Sequence, residues 1–84
     1  MGRVEADGVR RVVHEVIGEV LPDVAVDGIS GSQHLRDLGA DSVERVEIIM
    51  AVRARLGVRE PLGSFAALPD LDRLVEFLCA VRPA

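Results

Sequence analysis

At 84 residues the chain has room for one small domain, taken to span residues 1–84. One cysteine and two histidines leave no disulfide framework and no zinc site, so stability must come from packed aliphatic side chains; 49% of the residues are apolar. The net charge of −4, with arginine as the only basic residue besides histidine, argues against the basic face that nucleic acid requires.

Phe65 and Phe77 are the only aromatic residues, which favours an all-α bundle with an aliphatic core over a β-sandwich. The N-terminal MGRVEADGVRR lacks the apolar core of a signal peptide, and no apolar run approaches the ~18 residues that span a bilayer. A cytoplasmic protein without a membrane partner is expected. Nothing suggests an obligate dimer, so a monomer is expected too.

The first helix is expected from about Gly8 to Leu21, with Asp7 as cap and Pro22 as stop. Val9, Val12, Val13, Val16, Ile17 and Val20 give it one apolar stripe. Valines are weak helix formers, so this helix needs tertiary packing. A long connection follows, from Pro22 to Ala40, with Ile29, Leu35 and Leu38 as anchors to the core. The second helix is expected over Ser42–Leu56, capped at its end by Gly57. Its apolar set is Val43, Val46, Ile48 or Ile49, Met50, Val52 and Leu56, with Met50 as core filler. A short third helix is expected over Leu62–Ala67 and a fourth over Asp70–Val81, carrying Leu71, Leu74, Val75 and Leu78 inward. Phe65, Phe77 and Cys79 are expected in the core. His14 and His34 do not suggest a metal or catalytic pair.

Residues 35–49 read LRDLGADSVERVEII, and Ser42 is the position of chemical interest. It opens an apolar, helix-periodic run just after the turn at Gly39. Asp41 and Glu44 stand three apart, close to a capping box. A phosphodiester on Ser42 would meet the free N–H groups and positive dipole end of the helix, while Asp41 and Glu44 would repel it. No histidine is near in sequence, and GADSV lacks the geometry of a nucleophile elbow. On these residues alone, Ser42 is equally well a member of an ordinary helix cap.

LRDLGADSVERVEI resembles the Asp-Leu-Gly-Ala-Asp-Ser-Leu site of acyl carrier proteins, and the likeness extends over nearly the whole chain. The resemblance implies a four-helix bundle with a long loop between helices 1 and 2 and a short helix 3. It implies no enzyme activity, and 4′-phosphopantetheine from coenzyme A on Ser42. Asp37, Asp41, Glu44 and Glu47 match the acidic surface that such carriers offer to partner enzymes. Arg45, then Pro61, Leu62 and Phe65 as Pro-Leu-x-x-Phe, make the chain similar to free-standing donor carriers of polyketide β-branching cassettes. That likeness implies a malonyl or acetyl thioester. It also implies a phosphopantetheinyl transferase, an acyltransferase, a ketosynthase or decarboxylase, and a hydroxymethylglutaryl-CoA-synthase-like enzyme as partners. Asp41 stands where those donors usually have Asn, and Pro69-Asp70-Leu71 where Lys-Asn-Ile is common.

Other carriers, of type II polyketide, fatty-acid or aminoacyl and peptidyl groups, share the core motif and remain open alternatives. So does a non-covalent helical interaction module; a hydrolase is disfavoured for want of a base. Phe65 is expected in the core or bordering a pocket for the arm. Arg45, Arg53 and Arg55, with Arg59 beyond them, either belong to a solvated face with i,i+4 pairing, Arg53 and Arg55 lying four or more residues past acids such as Glu47, or set partner choice. Reversing Glu44 or Glu47 to Lys is expected to slow acyl transfer while leaving the fold intact.

Overall fold

The structure is a computed structural model that describes residues 3–82. It contains three α-helices: α1 (Arg3–Val20), α2 (Ser42–Leu56) and α3 (Leu71–Val81). Single 3-10 turns lie at Val26–Gly28, Leu35–Leu38 and Leu62–Phe65. The expected four-helix bundle is therefore corrected to three helices. The segment after Pro61 closes only i→i+3 bonds, Ser64 N–H to the Pro61 carbonyl (3.0 Å) and Ala66 N–H to Gly63 (3.3 Å). Pro61 and Pro69 bound it and Gly63 lies inside it, so a turn nucleates there but has no length over which to propagate.

Helix α1 is the hub, packing against both α2 and α3. Its stripe is as expected, with Val9, Val13, Val16 and Ile17 buried and Val12 and Val20 half-buried. Its start is not: the helix begins at Arg3, which leaves Asp7 exposed inside it rather than capping it. Helix α2 presses only Ile48 and Val52 fully into the core. These are four residues apart and share one face. Val43, Val46 and Met50 are 66%, 46% and 52% exposed, so the expected placement of Met50 in the core is overturned. From α3, Leu71, Leu74, Val75 and Leu78 point inward. Phe65 is buried and meets half-buried Phe77 edge to face, centroids 5.2 Å apart. Cys79 is half-buried beside this core rather than enclosed by it.

The long connection is tied down at both anchors and backbone. Leu35 is buried and Ile29 and Leu38 half-buried. The carbonyls of Gln33 and Gly31 accept from the N–H groups of Leu71 and Asp72 (2.9 Å each), satisfying donors that α3 cannot satisfy itself. The Asp72 carboxylate also takes a hydrogen bond from Arg10 of α1 (2.9 Å). A Cβ on Gly31 would collide with that carboxylate, so a larger residue there would push Asp72 away from its present place beside Arg10. Among the described residues, no helix is long and apolar enough to cross a membrane.

Candidate functional site

Two consecutive caps bring the chain to Ser42. In the first, the His34 Nδ1 accepts from the Arg36 N–H (2.9 Å) and the Asp37 carboxylate accepts from the His34 N–H (2.9 Å). The turn ends at Gly39, whose φ of 92° is the left-handed conformation that glycine adopts without a Cβ penalty. Ala40 is then buried, and Asp41 lies in extended backbone as the cap of α2. Asp41 Oδ1 accepts from the Glu44 N–H (2.8 Å), and Glu44 Oε1 accepts from the Asp41 N–H (3.0 Å). This is the reciprocal capping box anticipated from the Asp-x-x-Glu spacing.

Ser42 is the first residue of α2 and is exposed. No protein group accepts from the N–H groups of Ser42 or Val43 among the described residues, so they face outward as free donors at the positive end of the helix dipole. A Cβ on Gly39 would meet nothing within 4 Å, so the turn that leads to Ser42 is itself uncrowded. Ser42 also lies on the edge of a groove of about 380 Å³. Arg45, Val46 and Ile49 of α2 line it, with Phe65 and Leu62 from the turn after Pro61 and Leu74 from α3. Phe65 thus both fills the core and borders the pocket.

The residues expected to meet partners have unequal freedom. Asp37, Asp41 and Glu44 each commit a carboxylate oxygen to a cap, whereas Glu47 is exposed and makes no hydrogen bond or ion pair among the described residues. Arg45 reaches back to donate from Nη1 to the Ala40 carbonyl (3.0 Å). Arg55 pairs not within its own helix but across to Glu15 (2.6 Å) and Glu19 (3.7 Å) of α1, which corrects the expected i,i+4 arrangement. His34 was not among the expected site residues, although His34-x-x-Asp37 repeats the spacing of the second capping box. Arg36, also at the groove, gave no signal; a lone arginine in a loop has none to give.

The groove is not built for hydrolysis. His34 lines it with Ser42, but its acceptor nitrogen already takes the Arg36 N–H and no hydrogen bond joins the ring to Ser42. An exposed serine at a groove, with unpaired N–H groups at the helix start, suits a tethered anionic arm instead. At the lone cysteine, burial and the nearby Glu5 carboxylate push the Cys79 thiol up from its ordinary range.

Comparison with known proteins agrees with this geometry. Residues 9–78 match the family described as "Phosphopantetheine attachment site". The chain is 36% identical over 67 residues to "Acyl carrier protein 3" of Ralstonia nicotianae, covering 79% of this chain and 76% of that protein. It is 33% identical over 73 residues to "Acyl carrier protein" of Zymomonas mobilis, covering 87% and 88%. A 32% identity over 65 residues relates it to "Non-reducing polyketide synthase adrD" of Penicillium roqueforti; the match takes in 77% of this chain but 3% of that protein. No solved structure matches it significantly. The chain belongs to the phosphopantetheine-attachment family: it is a carrier domain of acyl-carrier-protein type, without catalytic activity of its own, for acyl groups held on coenzyme A-derived 4′-phosphopantetheine.

Proposed function

We propose that the 84 residues form one carrier domain, that Ser42 is the residue modified, and that the carrier is the donor in polyketide β-branching. The observation that carries the attachment residue is the exposure of Ser42 at the start of α2, directly behind the Asp41–Glu44 box and at the edge of a groove. The bound group supplies a thiol that holds an acyl unit as a thioester. The chain's own residues fix where that arm begins. The two caps and buried Ala40 set the position of the Ser42 hydroxyl, and the free N–H groups of Ser42 and Val43 favour the anion attached to it.

Arg45 and the Pro61, Leu62, Phe65 element support the donor assignment, because they are what the chain shares with β-branching donors. In that role the carrier delivers an acetyl unit, formed by decarboxylation of malonyl, to a hydroxymethylglutaryl-CoA-synthase-like enzyme. A phosphopantetheinyl transferase, an acyltransferase and a ketosynthase or decarboxylase complete the partner set. Similarity to acyl carrier proteins over most of the chain favours a second reading, a general polyketide, fatty-acid or aminoacyl carrier.

The attachment is tested by intact mass after incubation with coenzyme A and a broad-specificity phosphopantetheinyl transferase. Wild type should gain one arm and Ser42→Ala none; a wild type without mass gain rejects the assignment. The donor role is tested by offering the acetyl-loaded chain to such a synthase with a β-keto chain on a second carrier. Absence of condensation leaves the general carrier reading in place.

A further inference from the structure

Charge at the groove runs against charge on the chain. The whole chain is net −4, yet the ionisable side chains lining the groove are His34, Arg36, Arg45 and one acid, Asp70. The Asp70 carboxylate is turned to its own helix, accepting from the Arg73 N–H (2.8 Å). Arg10, Arg55 and Arg73 all pair with carboxylates, whereas Arg36 and Arg45 pair with none among the described residues. Arg45 is half-buried and anchored on the Ala40 carbonyl by one of its five N–H donors, which leaves the rest of a planar fork uncommitted. The His34 Nδ1 is an acceptor in its cap, so the neutral ring carries its proton on Nε2 as a donor. Three residues with cationic or donor side chains thus line the groove together with apolar Val46, Ile49 and Phe65.

Given the assignment of Ser42 above, we propose that His34, Arg36 and Arg45 bind an anionic oxygen group carried on the arm. Two groups have that chemistry: the phosphodiester at the serine, and the free carboxylate of a dicarboxylic acyl unit such as malonyl. Proximity favours the phosphodiester, because a bond to the Ser42 oxygen keeps it beside the rim whatever the rest of the arm does. Asp41 and Glu44 do not line the groove, and the two arginines offset their repulsion there. Arginine suits the task, since its fork can give two parallel hydrogen bonds to one phosphate or carboxylate.

The test uses the full chain in apo, phosphopantetheinylated, acetyl-loaded and malonyl-loaded forms, each verified by intact mass. Proton–nitrogen spectra follow the arginine side-chain Nε–H signals, and phosphorus spectra follow the phosphodiester. The Arg36 and Arg45 signals should shift between the apo and phosphopantetheinylated forms, and the shift should shrink as salt is raised. In Arg36→Gln and Arg45→Gln the phosphorus signal should move toward that of the same serine phosphodiester in the urea-unfolded chain. Arg36 makes no side-chain hydrogen bond among the described residues, so its variant keeps the test valid even if Arg45→Gln disturbs the loop. A shift confined to the malonyl-loaded form assigns the rim to the carboxylate. Arginine signals unmoved in every loaded form would overturn the proposal, whereas a chain that takes no arm fails at the mass measurement and rejects Ser42 itself.

Discussion

Glu44 has a task inside the molecule that Glu47 lacks. Its carboxylate accepts the Asp41 N–H at the start of α2, where a negative charge also favours the helix dipole. Glu44→Lys removes that acceptor and places a cation at the positive end of the helix; an unfolding titration should register a loss of about 0.5–2 kcal/mol, the range of a broken cap. The fold is still expected to form, at reduced stability. Exposed Glu47 has no such partner, so Glu47→Lys should change stability by no more than about 0.5 kcal/mol. If the acidic surface steers partner enzymes, Glu47→Lys should still slow acyl transfer, and an unchanged rate in this variant removes the recognition role. At this scale the sequence was informative where side chains act on their neighbours. Asp41, Glu44, Gly39 and Gly57 could be placed because caps and left-handed turns are local. Arg55 could not, because its partners lie 36 and 40 residues away on α1.

The glycines of α1 separate helix propensity from packing. Gly8 is exposed within the helix, and an added Cβ meets nothing within 4 Å. Gly8→Ala should raise stability by about 0.4–1 kcal/mol, chiefly by restricting the unfolded chain. Gly18 lies on the same helix, but its added Cβ would come within 3.3 Å of Val26. Gly18→Ala should return less of that gain or none, as measured by the same denaturant midpoint. Helix α2 gives the packing counterpart. Ile48→Ala should cost about 2–5 kcal/mol and Met50→Ala no more than about 0.5 kcal/mol, because only the first empties core volume. The extent of α2 was legible from its caps, but its buried face was not. Apolar residues lie at 43, 46, 48, 49, 50, 52 and 56, more than one helix face can bury, and only the position of α1 decides that Ile48 and Val52 win. The turn after Pro61 was over-read for a related reason: apolar residues predict burial there, but seven residues between two prolines cannot sustain a helix.

The arrangement of the whole molecule explains where the groove lies. With α1 as the hub, α2 and α3 each pack on it more closely than on one another, and the space left beside α2 is only partly filled by the Leu62–Phe65 turn. That space opens next to Ser42, so the architecture itself places a groove at the proposed attachment point. The net charge of −4 gave no hint of the cationic rim there, since a sum over the chain carries no position. The pH dependence of stability is another whole-molecule property, and one residue dominates its expected slope near neutrality. His14 lies on α1, lining a separate hollow with Asp7, Arg10, Arg11, Glu15 and Val26. Burial first, and the Arg10 charge second, lower its pKa from the ordinary histidine value, with Asp27 opposing. The folded state therefore binds fewer protons than the unfolded chain between the lowered value and about 6.5, and stability must fall as pH falls across that window. Above about pH 6.5 the contribution is fully present; below the folded value it is lost. Urea unfolding of wild type and His14→Gln from about pH 7.5 down to about pH 5 isolates the effect, because protonation of the capping carboxylates is common to both chains. Wild type should lose more stability than His14→Gln as pH falls; parallel curves would show that the environment of His14 does not favour its neutral form.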